Sequence, residues 1–138
     1  MAQASISLDW KDGLQFDILQ NNKTLCIDAN PDEAASTGFR PKALILSALA
    51  GCTAIDVIEI LTKMRVEFSE FKIDVAADMS EEHPKVYTKV YLTYKIKLAN
   101  SADQDKMQKA VNLSQEKYCG VSAMVVKFAD LVVNIEYL

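Results

Sequence analysis

Among the side chains of this 138-residue chain, the three cysteines, Cys26, Cys52 and Cys119, are best suited to covalent chemistry. A thiolate is a strong nucleophile that can pass through a sulfenic acid to a disulfide and back. No two of them stand in C-x-x-C spacing, and three are too few for a secreted disulfide scaffold. No metal site and no cofactor are therefore expected, and any thiol chemistry must come from cysteines joined by folding.

Each cysteine has its own setting. Cys52 lies inside the apolar run Ala48-Leu49-Ala50-Gly51-Cys52-Thr53-Ala54-Ile55-Asp56. Gly51 costs about 1 kcal/mol there relative to alanine, so it needs a reason. Close approach of another helix to the small-residue face would supply one, and composition alone favours Cys52 as a small buried hydrophobe. Cys119 stands at a junction between helical pieces, just before Gly120-Val121-Ser122. Free N–H groups and a helix dipole at that junction would favour a thiolate. Cys26 falls on a strand between Leu25 and Ile27 and is assigned no role. His83, the single histidine, precedes Pro84 at a turn and reads as a surface residue. Asp56 and Glu59 share the helical face of Cys52, but a carboxylate works against a neighbouring thiolate, so they are expected to pair with lysines or to have no chemical role.

The elements that must hold these residues follow from periodicity. Between Ser5 and Asp28, alternating apolar residues broken by Lys11-Asp12-Gly13 and Asn21-Asn22-Lys23 predict a three-stranded meander. Pro41 opens a helix running to about Met64 whose nearly continuous apolar content should make it central and buried, and whose second half turns amphipathic, with Ile55, Ile58 and Leu61-Thr62 inward and Glu59, Lys63 and Arg65 wet. Phe71 to Leu98 alternates on both sides of Glu81-Glu82-His83-Pro84, which predicts a long hairpin. Helical spacing returns from Asp103 to Glu116, a shorter apolar piece spans Val121 to Phe128, and Leu131 to Leu138 forms a last strand. This order defines an α+β fold in a single domain, residues 1–138.

A net charge of −4 and a pI near 5.0, with lysines scattered among acidic residues, exclude a nucleic-acid partner. No basic leader followed by an apolar stretch is seen, and no run approaches about 18 uninterrupted apolar residues, so a cytoplasmic protein without a membrane partner is expected.

Two segments resemble a known family. Gly38-Phe39-Arg40-Pro41-Lys42-Ala43-Leu44 through Ala50-Gly51-Cys52-Thr53-Ala54-Ile55-Asp56 is similar to the helix carrying the peroxidatic cysteine of the OsmC/Ohr proteins (osmotically inducible protein C and organic hydroperoxide resistance). Glu116-Lys117-Tyr118-Cys119-Gly120-Val121-Ser122 resembles the segment with their resolving cysteine, and His83-Pro84-Lys85-Val86-Tyr87-Thr88 looks like the small bacterial branch. The resemblance implies antiparallel sheets around two central helices, an intertwined homodimer, and a thiol-dependent peroxidase for oxidative stress defence. It further implies that Cys52 attacks an organic hydroperoxide, that Cys119 captures the sulfenic acid, and that a dithiol reductant resets the pair.

The chain departs from that pattern at two places. The family's glutamate after the helix-leading proline corresponds here to Lys42 and Ala43, and its N-terminal arginine is missing, since only Lys11 and Lys23 precede Gly38 as cations. Arg40 lies roughly 18 Å before Cys52 along a continuous helix at about 1.5 Å per residue. If two helices cross antiparallel in a dimer, Arg40 or Lys42 of the other copy could bring positive charge to Cys52. Two readings stay open: the peroxidase, with an alkyl pocket of Ile45, Leu49 and Met124, and a relative that binds a small apolar or sulfur-containing molecule without turnover.

Overall fold

A computed structural model describes residues 2–138, which fall into two compact units, one ending at Ile45 and the other spanning Leu46–Leu138. In the first unit, β1 (Ser7–Asp12), β2 (Gln15–Gln20) and β3 (Lys23–Asp28) form the meander expected from the alternation, all antiparallel. Asn21 and Asn22 both take positive φ in the β2–β3 turn, which is why this two-residue connection uses asparagines.

The end of β3 is tied to the following loop. The buried Asp28 carboxylate accepts hydrogen bonds from the backbone N–H groups of Asn30 (2.8 Å) and Thr37 (3.0 Å). The Thr37 bond is the main reason its pKa lies below the ordinary carboxylate value. Phe39 N–H donates to Cys26 O and Asp28 N–H to Phe39 O, both at 3.0 Å, so the loop adds a short parallel bridge beside β3.

The long helix α1 is Leu44–Lys63, with Pro41 to Ala43 forming a tighter turn ahead of it, in which Leu44 N–H bonds Pro41 O. It stops where Arg65 adopts a left-handed conformation (φ 58°) and Val66 N–H reaches back to Leu61 O, a common way to satisfy the last carbonyls. By length and hydropathy α1 would be able to cross a membrane, although Asp56 and Glu59 interrupt its apolar run. Yet Leu49, Thr53, Val57 and Leu61 form a stripe buried against protein, as in a core helix.

That burial is one-sided. Ile55 is 63% exposed, and Ala48 and Gly51 are also exposed, so the helix is not covered all round as its composition suggested. A Cβ on Gly51 would meet nothing within 4 Å.

The second sheet has the order β4 (Phe68–Met79), β5 (Tyr87–Leu98), β6 (Asp130–Tyr137). β4 and β5 are the expected hairpin, but β6 runs parallel to β5, so this sheet is mixed rather than antiparallel throughout. The reason is the connection: α2 (Gln104–Leu113) and α3 (Gly120–Val125) carry the chain back across the sheet, as a parallel return requires. The β4–β5 register slips at Asp78/Met79, where Thr88 is the extra residue. That bulge reverses the facing of β5, so Tyr87 is buried along with Val90, Leu92, Tyr94 and Ile96, while Val86 and Thr88 face out.

Side chains of α1 (Val57, Leu61), β5 (Leu92, Tyr94, Ile96) and α2 (Met107, Ala110, Val111) make the main core. A smaller cluster of Leu49, Tyr87, Val90, Cys119 and Val125 continues it toward the thiols. Fully burying one such aliphatic side chain contributes about 1.5–3 kcal/mol, which is what holds α1 and α3 against the sheet.

Candidate functional site: two thiols and a carboxylate

Cys52 is presented by the third turn of α1, beside the buried Leu49 and Thr53. Cys119 is delivered by a distortion of the α2 end that periodicity did not anticipate. Where the helix was expected to run on to Glu116, Ser114–Tyr118 widen into a π turn closed by Cys119 N–H to Ser114 O at 2.7 Å. Single π turns of this kind recur at functional positions. Cys119 then leaves helical geometry (φ −78°, ψ 100°) and becomes the N-cap of α3, its sulfur accepting from Ser122 N–H at 3.3 Å.

The two sulfurs and a carboxylate oxygen of Asp56 all lie within 4.8 Å of one another. All three cysteines are free thiols, with Cys119 buried and Cys52 half-buried. Burial pushes the Cys119 thiol above its ordinary pKa, hydrogen bonding from Ser122 opposes this, and the neighbouring Cys52 adds to the rise. The Ser122 hydroxyl is itself 1% exposed and, among the described residues, meets hydrogen-bond geometry with no neighbour, although Ser122 favours the Cys119 thiolate.

A polar chain runs inward from the carboxylate. Ser114 Oγ donates to Asp56 Oδ2 at 3.0 Å, Ser114 Oγ and Thr53 Oγ1 are 2.7 Å apart, and Thr53 Oγ1 is 2.5 Å from Tyr94 OH. Gln115 Nε2 closes the network on Tyr94 OH (2.9 Å) and Thr53 Oγ1 (3.3 Å). Thr53, Tyr94 and Ser114 are completely buried, and burial raises the Tyr94 pKa. A fully connected network of this kind is rigid, because breaking any link strands a polar group away from water.

An open cleft of roughly 380 Å³ borders the same carboxylate, lined by Asp56, Glu59, Ile60, Lys63, Met64, Leu113 and Tyr118. Its lining shares no residue with the alkyl pocket expected from sequence: Leu49 is fully buried in the core, and Met124 and Ile45 are exposed. Asp56 was expected to pair with a lysine and instead bonds Ser114 beside the thiols. Its position one turn after Cys52 was the available signal. Thr53, Ser114, Gln115 and Tyr94 are linked across 21 to 62 positions of chain and left no such trace.

Arg40 is committed within its own loop: to the Glu33 carboxylate (2.8 Å), to Asp28 O (3.1 Å) and to Asn30 O. Lys42 is exposed, and Cys26 is half-buried on β3 in the first unit. A model of the family described as OsmC-like protein matches residues 32–133, which takes in Cys52, Cys119 and all the chain between them. The chain belongs to the OsmC-like family. This OsmC-like protein is 30% identical over 128 residues to Protein YhfA of Escherichia coli K12, covering 92% of each chain. Among solved structures it is similar to a protein of Aquifex aeolicus VF5, with a TM-score of 0.86, 27% identity and coverage of 100% and 98% of the two chains. It also shares the fold of the organic hydroperoxide resistance protein OhrB of Bacillus subtilis, with a TM-score of 0.67, 18% identity and 98% coverage of both.

Proposed function

We propose that this protein is a thiol-dependent peroxidase that reduces organic hydroperoxides in the cytoplasm, as part of defence against oxidative stress. The observation that carries the reading is the pair of free thiols, far apart in sequence, whose sulfurs lie within 4.8 Å. In this reading the Cys52 thiolate attacks the peroxide, an S–O bond forms as the O–O bond breaks, and the departing alkoxide takes a proton to leave as an alcohol. The Cys119 sulfur then attacks the sulfenic sulfur of Cys52, releasing water and forming a disulfide. A dithiol reductant regenerates both thiols by exchange.

A homodimer belongs to this proposal, and the bare side of α1 supports it, since exposed Ala48, Gly51 and Ile55 leave an apolar helix surface without cover. Lys42 of a second copy is free to bring positive charge to the thiols, whereas Arg40 would first have to release Glu33 and two backbone carbonyls. That commitment of Arg40 favours a second reading, in which the pocket binds a small apolar or sulfur-containing molecule without turnover. Hydroperoxide consumption with a dithiol reductant separates the two. Turnover in the wild type that disappears in Cys52→Ser and is impaired in Cys119→Ser supports the peroxidase, and a wild type that consumes no hydroperoxide overturns it.

A further inference from the structure

The thiol pair does not stand alone: an Asp56 carboxylate oxygen lies within 4.8 Å of both sulfurs. We propose that Cys52, Cys119 and Asp56 of the reduced protein form a three-ligand site for a thiophilic divalent cation of the zinc type, with the fourth position open. The inference rests on the thiol pair of the proposed peroxidase but requires no turnover. Two sulfurs and one carboxylate oxygen within 4.8 Å match the donor set and count of an open zinc site, in which three protein ligands leave one position for water. Zinc–sulfur bonds of about 2.3 Å and tetrahedral angles call for sulfurs about 3.8 Å apart, within reach of small rotamer changes.

Two further observations point to a ligand site rather than a chance cluster. The Asp56 carboxylate is oriented by Ser114, which is held in turn by Thr53 and Tyr94, the kind of outer support that fixes a metal-binding carboxylate. Asp56 also lines the open cleft, so a cation entering there meets one of the three ligands directly. Ser122, whose buried hydroxyl has no hydrogen-bond partner among the described residues, donates its backbone N–H to the Cys119 sulfur at 3.3 Å.

Binding breaks two S–H bonds, forms two metal–sulfur bonds and releases two protons to solvent, and no electrons move. The cation therefore competes with peroxide for Cys52 and blocks closure of the disulfide, holding the pair reduced and inactive until it is withdrawn. Oxidation to the disulfide removes both sulfur ligands, so cation binding and oxidation exclude each other.

The test is anaerobic titration of the reduced, metal-free protein with Co²⁺. One equivalent should bind with sulfur-to-cobalt charge-transfer absorption in the near ultraviolet and tetrahedral-intensity bands in the visible, displaced by Zn²⁺. Cys26→Ser should keep these bands, Cys52→Ser and Cys119→Ser should lose them, and diamide-oxidised protein should bind none. Asp56→Asn should weaken binding by at least about tenfold. Asp56→His, which exchanges one ligand for another, should keep the stoichiometry and shift the visible bands. A wild type without charge-transfer absorption, bands that survive in Cys52→Ser, or visible bands unmoved in Asp56→His would overturn the site. Hydroperoxide turnover measured on the same metal-free samples reports separately on the peroxidase, which can fail while the cation site stands, and the reverse.

Discussion

Tyr94 of the central strand β5 holds its hydroxyl 2.5 Å from Thr53 Oγ1, one residue beyond Cys52 on α1. The pair fixes the rotation of α1 against the sheet at the turn that presents the thiol. Thr53→Val keeps the shape but leaves Tyr94 and Ser114 each short of a buried partner, so it should destabilise the fold by about 1–3 kcal/mol in urea unfolding. Tyr94→Phe should cost less, since Thr53 retains Ser114 and Gln115. A Thr53→Val protein as stable as wild type would show that the network contributes nothing.

Burial raises the Tyr94 pKa in the folded chain, and this gives stability a defined pH dependence. An unfolded tyrosine titrates near 10. Above that pH the unfolded chain has lost a proton that the folded chain keeps, so the unfolded state binds fewer protons and stability falls as pH rises. The contribution is complete below about pH 10 and is lost as pH climbs from there through the raised folded value. Tyr94→Phe should flatten this part of an alkaline stability curve, and an unchanged slope would contradict it.

The burial of Cys119 bears on kinetics. Its thiol is held above the ordinary cysteine pKa, so at neutral pH little thiolate is available to attack the sulfenic form of Cys52. Disulfide closure, followed by stopped-flow after a single addition of hydroperoxide, should accelerate with pH past the usual cysteine range. Ser122→Ala removes a contact that favours the thiolate and should move the profile further to alkaline pH. A profile moved the other way would rule out that role for Ser122.

Gly38 stands against the backbone of β3. A Cβ there would fall 2.6 Å from Cys26 O and 2.8 Å from Cys26 C, and backbone atoms cannot swing aside. Gly38→Ala should force Phe39 away from Cys26 O and cost about 1–3 kcal/mol, visible as a lowered Tm. An unchanged Tm would mean that the loop shifts freely.

The elements were legible because each carries its own period. Ile6, Leu8 and Trp10 alternate, Asn21-Asn22 marks its turn, and the apolar run from Leu44 to Leu61 admits little but a helix. Features that depend on one strand's fit to another were not: the Thr88 bulge, the parallel return of β6 and the π turn at Ser114 are all set by tertiary packing. At the site, family resemblance rather than spacing pointed to Cys52 and Cys119. Tyr94 was hidden because in an alternating strand it reads as one more core residue, with no sign that its hydroxyl needs partners.

Which two sulfurs react is read out by treating the fully reduced protein with one equivalent of an organic hydroperoxide, counting thiols and mapping cross-linked peptides by mass spectrometry. Two of the three thiols should disappear, joined as a Cys52–Cys119 disulfide, with Cys26 unmodified. Retention of all three thiols, or a disulfide that includes Cys26, would rule out Cys52 and Cys119 as the reacting pair.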